Sequence, residues 1–413
     1  MSKRLIILVL MLNYFLFGLL LNSVGVVIMQ SINSFGVTKE SASLLEGFKD
    51  IPIAVVSFLV ASFLPRLGYR YAMMIGLAVV MLACLSMPIL SSFWATKLLF
   101  LSIGSSFALI KVSVYASIGL LTSDKQGHAS LMNAIEGVFM LGVLSGYWVF
   151  SFFIDSDNPA SQEWLSVYWW LAAICLFNLL VMSFIKFGEG QVKPPGSSLG
   201  RDFIAMLRLT TRPLVYIFVI SVFLYVLIEQ GLGTWLPTFN NEVLGLPSAI
   251  SVQVTSIFAL SLAVGRLSAG LLLQKVNWYF LLSGCILGMG LLMILVMPLS
   301  YNVEVAADVD WFSMPLVAYL IPLIGLFMSP IYPALSSVVL SSLPLREQSS
   351  MAGLIIMFSA LGGTTGAMIT GLIFGRFDGQ TAFYMALIPM AIILVLLHGL
   401  KRETDRASAE LEQ

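Results

Sequence analysis

A chain of 413 residues that is 59% hydrophobic and 10% charged, with a mean hydropathy of +0.97, is too apolar to fold as a soluble protein of this size. Its formal net charge is zero and no basic block interrupts it, so nucleic acid is not an expected partner. A polytopic membrane protein, solvated by a lipid bilayer, is the class that remains.

Apolar runs of spanning length, about 20 residues each, fall at 5–29, 43–65, 71–91, 96–122, 129–154, 164–187, 213–238, 248–274, 277–299, 313–342, 347–375 and 380–400. The first follows Lys3 and Arg4 as a secretory leader would, but it is long and lacks a small-residue cleavage site, so it reads as a transmembrane helix. The second carries Glu46, Lys49 and Asp50; Glu46 and Lys49 fall near its outer end and are read as wetted there. The fourth holds Lys111 in an otherwise uncharged stretch, and the fifth holds Asn133 and Glu136. An ammonium near mid-membrane is tolerated only where it meets water, a carboxylate or a ligand, which makes Lys111 the leading functional candidate. Counted from the cytoplasmic ends at about 1.5 Å per residue, Lys111 lies about 16 Å deep, Glu136 about 11 Å, Asp50 about 22 Å and Glu229 about 24 Å. Lys111 is therefore within reach of either Glu136 or Asp50, as a coupling partner or as one side of a static ion pair.

The longest polar interruption, 188–212, contains Lys193, Pro194, Pro195 and Gly196 and then Arg201, Arg208 and Arg212. It divides the chain into an N-terminal half at 1–187, a cytoplasmic linker at 188–212, and a C-terminal half with a short cytoplasmic tail at 213–413. Two halves of six spans are the layout of transporters built from repeats, whose site lies near the midplane where the repeats meet. Beyond the linker, the seventh span carries Glu229, Gln230 and Trp235, the eighth carries Arg266, an expected anchor of the inner loop, and the tenth carries Tyr332 among several prolines. Lysine and arginine crowd the segments that are inside if the N-terminus is cytoplasmic, leaving only Lys39, Lys97 and Arg376 outside, so both termini are expected in the cytoplasm. Cys84, Cys175 and Cys285 sit at wide spacing inside apolar runs and read as small core residues. His128 and His398 are too far apart for a metal site, and no nucleotide-binding loop or metal-ligand cluster is visible, so neither a cofactor nor an enzymatic activity is expected.

Several stretches carry a family resemblance. The loop Pro65, Arg66, Leu67, Gly68, Tyr69, Arg70 is similar to the Gly/Arg-rich loop of the major facilitator superfamily, though it lacks the acidic residue, and Val264, Gly265, Arg266 through Gly270 has a common superfamily form. The tenth span, LIGLFMSPIYP over 323–333, with Gly353 and the Gly362, Gly363, Gly366 cluster of the eleventh, resembles the fucose permease family of proton-linked sugar symporters; Glu229 to Pro237 in the seventh span also looks like that wider family. The resemblance implies an all-α membrane fold of twelve helices in two six-helix halves, secondary transport by alternating access, and a monomer in a bacterial cytoplasmic (inner) membrane. Where those permeases carry Asn-Asp in the first helix and a glutamate in the fourth, this chain has Asn22, Ser23 and Lys111. The resemblance therefore implies transport, but neither fucose nor the same proton relay.

Sugars and polyols are held by amides, hydroxyls and aromatic faces. On that chemistry the expected contacts to a small-molecule substrate are Asn22, Lys111, Tyr115, Asn133, Glu229, Gln230, Trp235 and Tyr332. The expected coupling groups for a proton or another cation are Asp50, Lys111 and Glu136. Uptake of a sugar or a sugar-acid-like solute is the leading reading, and a proton-coupled drug or metabolite exporter is the alternative. Against the exporter stands Gly142, Val143, Leu144, Ser145, Gly146 where those antiporters carry a proline-bearing glycine motif.

Overall fold

Within a bilayer every backbone N–H and C=O must be satisfied inside its own segment, so apolar runs of this length fold as helices. The computed structural model describes residues 3–121, 125–185, 204, 206–301, 303–306, 309–341, 343 and 345–411. Its helices are α1 (Lys3–Leu21), α2 (Val24–Phe35), α3 (Lys39–Leu67), α4 (Tyr69–Leu90), α5 (Phe93–Leu121), α6 (Lys125–Ser151), α7 (Val167–Phe184), α8 (Pro213–Glu242), α9 (Ser248–Leu272), α10 (Trp278–Val296), α11 (Leu316–Leu320), α12 (Ile324–Met328), α13 (Ile331–Ser341), α14 (Leu345–Arg376), α15 (Gly379–Tyr384) and α16 (Leu387–Leu411). Among the described residues, 11 segments are long and apolar enough to cross a membrane. The remaining expected span, 43–65, lies within α3; the N-terminal half of that helix carries Lys39, Glu40, Glu46, Lys49 and Asp50, and it is not among the eleven.

Of the spans interrupted among the described residues, two are broken for a readable local reason. The first is interrupted between α1 and α2, where Ser23 Oγ donates to the Leu20 carbonyl at 2.7 Å and Asn22 Nδ2 donates to the Gly18 carbonyl at 3.1 Å. Short polar side chains offer the backbone an alternative to the helical ladder, and here two in succession do so. The tenth is divided into α11, a 3-10 turn at Ile321–Leu323, α12 and α13. Pro322, in the 3-10 turn, and Pro330, between α12 and α13, sit at the breaks, because proline has no N–H to donate and its ring clashes with the preceding turn; Pro315 precedes α11 and Pro333 falls in the first turn of α13.

The chain forms two compact units, Met1–Val37 with Leu45–Gly196, and Thr38–Leu44 with Ser197–Gln413. In the first unit, glycines bring backbones into direct contact along two seams. A methyl group added at Gly18 would collide with the Phe139 carbonyl and one at Gly142 with the Phe15 carbonyl, joining α1 to α6; one at Gly104 would collide with the Lys49 carbonyl, joining α5 to α3. The second unit repeats the pattern. Gly362 and Gly366 of α14 abut the Phe223 and Leu227 carbonyls of α8, while Gly265 of α9 abuts the Leu326 carbonyl and Gly325 of α12 faces the Phe258 carbonyl. Each unit thus packs its first span on its fifth and its second on its fourth. Small residues serve this purpose in lipid, where close van der Waals contact replaces the hydrophobic effect as the driving force between helices.

The motif loop between α3 and α4 turns at Gly68, whose φ of 88° suits a residue without Cβ. Two residues on, Arg70 Nε donates to the Met182 carbonyl at 3.2 Å and its guanidinium also donates to the Ser183 carbonyl. These carbonyls belong to the last turn of α7, where four acceptors lack intrahelical donors and a cation is favoured. Arg70→Ala should cost about 1.5–3 kcal/mol, the range for hydrogen bonds from a charged donor, and appear as a lowered midpoint in thermal unfolding of the purified protein.

Candidate functional site

On α5 the residues Phe107, Lys111 and Tyr115 recur at helical spacing and share one face. The Lys111 ammonium lies 5.6 Å from the Phe107 ring centre and 5.7 Å from that of Tyr115. Tyr14 of α1 and Phe139 of α6 extend the wall: Tyr14 is 6.4 Å from Tyr115 and 5.9 Å from Phe139, and Phe107 is 5.8 Å from Phe139. Lys111 is half-buried and, among the described residues, makes no ion pair. Each ring face returns about 0.5–2 kcal/mol to a cation. Removing an ammonium from water costs several kcal/mol, so the two rings leave Lys111 with capacity for an anionic partner.

Glu136 of α6 is tied to this face through a tyrosine. The Tyr115 hydroxyl donates to Glu136 Oε1 at 2.6 Å, a short charge-assisted bond between α5 and α6. Tyr115 thus approaches both groups, its ring facing the ammonium and its hydroxyl bonding the carboxylate. Asn133, one turn before Glu136, is exposed. The sequence brings Lys111, Tyr115, Asn133 and Glu136 to one region of the first unit; Tyr14, Phe107 and Phe139 also belong to it, and neither phenylalanine was among the expected residues. Phe107 could have been found, since it stands one helical turn from Lys111. Removing the phenol's donor in Tyr115→Phe should cost about 1.5 kcal/mol or more, read as a roughly tenfold rise in KM for driven solute uptake.

Among the described residues Asp50 forms no ion pair with Lys111. Lys49 Nζ lies 3.5 Å from Asp50 Oδ1 and donates to Glu46 Oε1. The expectation that Glu46 and Lys49 are wetted is corrected by their burial, at 0% and 5% exposed. This part of α3 is covered by neighbours, and the Lys49 carbonyl lies directly against Gly104.

In the second unit, Arg266 lies 3.7 Å from Glu229 Oε1, with the arginine exposed and the carboxylate mostly covered. Tyr332 stacks obliquely with Tyr225 at 6.0 Å and its hydroxyl accepts from Ser359 Oγ at 3.5 Å. The amide oxygen of Gln230 accepts from Thr234 Oγ1 at 3.4 Å. Trp235 is wholly enclosed: its indole N–H donates to the Ala367 carbonyl at 2.9 Å and its ring packs 5.6 Å from Phe374 and against Gly371. This placement gives Trp235 a packing role in the seam between α8 and α14. Asn22 spends its amide N–H on the break in the first span.

An all-helical, multi-pass chain with two like-packed units and a half-buried charged and aromatic cluster in one of its spans has the build of a membrane transporter. The sequence profile of the Major Facilitator Superfamily matches residues 6–363, and the chain belongs to that family. It is thus a secondary transporter, not an enzyme. Among solved structures it is similar to the nucleoside transporter NupG (TM-score 0.71, 16% identity, 97% of this chain and 99% of that one). It is also similar to a bacterial homolog of the human lysosomal transporter Spinster (TM-score 0.72, 16% identity, 98% and 96%) and to the E. coli fucose:proton symporter FucP (TM-score 0.60, 16% identity, 97% and 99%). At these identities the likeness is one of fold. No curated protein sequence matches the chain.

Proposed function

We propose that this protein takes up a small polar solute bearing a carboxylate, of the sugar-acid type, driven by the proton gradient across a bacterial cytoplasmic membrane. The observation that carries the reading is Lys111: a half-buried ammonium within an apolar helix, flanked by the rings of Phe107 and Tyr115 and without an ion pair among the described residues. A carboxylate of the solute completes that ammonium, the aromatic wall covers the apolar face of a sugar ring, and Asn133 and Glu136 accept or donate to its hydroxyls. Likeness in fold to a fucose:proton symporter supports symport of a hydroxylated solute. Twelve helices in two halves, a monomer, and both termini in the cytoplasm complete the proposal.

Cells expressing the protein, supplied with labelled neutral sugars and labelled sugar acids with and without an uncoupler, test the reading. Accumulation of the acids that collapses with the uncoupler is the expected result. Resistance to drugs without accumulation of either class would assign the protein to export.

A further inference from the structure

We propose that the start of α10 and the close of α16 together form a binding site for the headgroup of an anionic phospholipid. The inference concerns the protein's bilayer and is independent of the solute and of the coupling ion.

The apolar run of α16 ends at Leu400, and Lys401 and Arg402 follow it directly. Helix α10 begins with Trp278, Tyr279 and Phe280, and the two helices pack together within the second unit. Lys401 and these three aromatic residues therefore stand at the ends of membrane spans, where aromatic side chains settle between acyl chains and headgroups. The Lys401 ammonium lies 4.9 Å from the Tyr279 ring centre and 5.6 Å from that of Phe280, and those two rings meet edge to face at 5.5 Å. A lysine side chain is otherwise among the most freely moving, and holding it over two rings settles part of the ordering cost before a ligand arrives.

The rings satisfy only part of an ammonium with three N–H donors. Lys401 makes no ion pair among the described residues. The charge around it is mostly of one sign. Residues 273–280 contain Lys275 and no carboxylate. Over residues 401–406, Lys401, Arg402 and Arg406 stand against Glu403 and Asp405, and Glu403 is taken by Arg406 at 2.8 Å. Phe280 is 64% exposed, so a hydrocarbon chain can lie along its ring while a phosphate meets the ammonium. A fixed cation beside an open apolar ring at a membrane boundary matches a phosphate ester with a hydrocarbon tail; a soluble phosphate would leave the ring uncovered. Lys97 of α5 is the contrasting case. The rings of Phe48, Phe93 and Trp94 stand 5.9, 4.8 and 4.4 Å from its ammonium, so a third aromatic group occupies the side that Lys401 leaves open.

The test uses the full chain in phosphatidylcholine vesicles containing a trace of diazirine-bearing phosphatidylglycerol, illuminated and then mapped by peptide mass spectrometry. Labelling of the peptides around Phe280 and Lys401 is expected to exceed that from diazirine-bearing phosphatidylcholine by about fivefold, the preference that one interfacial cation gives an anionic lipid. Lys401→Met should remove most of that preference and Lys401→Arg should keep it, whereas Lys97→Met should leave labelling of these peptides unchanged. Equal labelling by the two lipids in wild type, an undiminished preference in Lys401→Met, or an equal loss in Lys97→Met would overturn the proposal. Displacement of the lipid by glycerol phosphate would overturn it too, by assigning the cluster to a soluble phosphate. The readout is local and needs no transport, so it stands or falls apart from the sugar-acid reading.

Discussion

Lys111→Ala abolishes driven accumulation of sugar acids while the protein continues to reach the membrane. Its size follows from what the ammonium is asked to supply. Truncating one partner of a desolvated, hydrogen-bonded charge pair costs about 2–5 kcal/mol, much of it from stranding the other charge. For the transporter that means a loss on the order of a hundredfold in uptake efficiency. Folding should suffer little, because the ammonium is held in the fold by two cation–π approaches of about 0.5–2 kcal/mol each, at a residue without an ion pair among the described residues. The two readings of this lysine then separate cleanly. A structural cation would show its loss in expression and thermal stability, whereas a solute-binding one shows it in uptake alone. Lys111→Arg is the informative companion: it keeps the charge but replaces a compact ammonium by a planar fork, so partial activity with altered preference among acids is expected. Wild-type rates in Lys111→Ala, with labelled acid and an intact gradient, would remove the basis of the proposed function.

The parts of this molecule that could be read from its residues are those set by one-dimensional rules. Length and apolarity define where the apolar helices lie, and prolines mark the broken tenth span. The family resemblance was carried largely by glycines, and the structure explains why. Gly325, Gly362 and Gly366 sit where backbones of neighbouring helices touch, so they belong to the architecture and carry no information about the solute. Tyr332, in the same motif, is tied up with Tyr225 and Ser359. The site was less legible because it depends on which neighbour each side chain meets. Depth alone made Glu136 and Asp50 equivalent partners for Lys111. Packing distinguishes them, since Tyr115 contacts both Lys111 and Glu136 while Asp50 is held by Lys49. Trp235 matched a sugar-binding pattern by type and position, yet the absence of side chains at Gly366 and Gly371 draws its helix close enough to α14 to enclose the indole. The burial of Glu46 and Lys49 had no signal in spacing, because a charged outer turn and a covered one look alike in sequence.

The glycine seams make a prediction in which two opposing effects can be ranked. In an unencumbered helix, glycine to alanine gains about 0.5–1 kcal/mol, since glycine loses the most backbone freedom on folding. At Gly284 of α10 a Cβ would meet nothing within 4 Å, so Gly284→Ala should keep or raise the thermal midpoint. At Gly366 the same atom would strike the Leu227 carbonyl, and at Gly142 the Phe15 carbonyl. Neither obstacle is a flexible side-chain end that can swing aside; the helices themselves must separate. Overpacking of a close contact costs about 1–3 kcal/mol even where side chains can adjust, and here the shift would propagate along α8 and α14, or α1 and α6, so the steric term outweighs the propensity gain. Gly366→Ala and Gly142→Ala should each lower the midpoint and the yield of monodisperse protein, and the larger Gly366→Leu should prevent recovery of folded material. The measurement is thermal unfolding followed by size-exclusion chromatography in detergent. Equal midpoints for Gly284→Ala and Gly366→Ala would mean that the seam between α8 and α14 is looser than its backbone contacts require, and the matched packing of the two units would lose its physical basis.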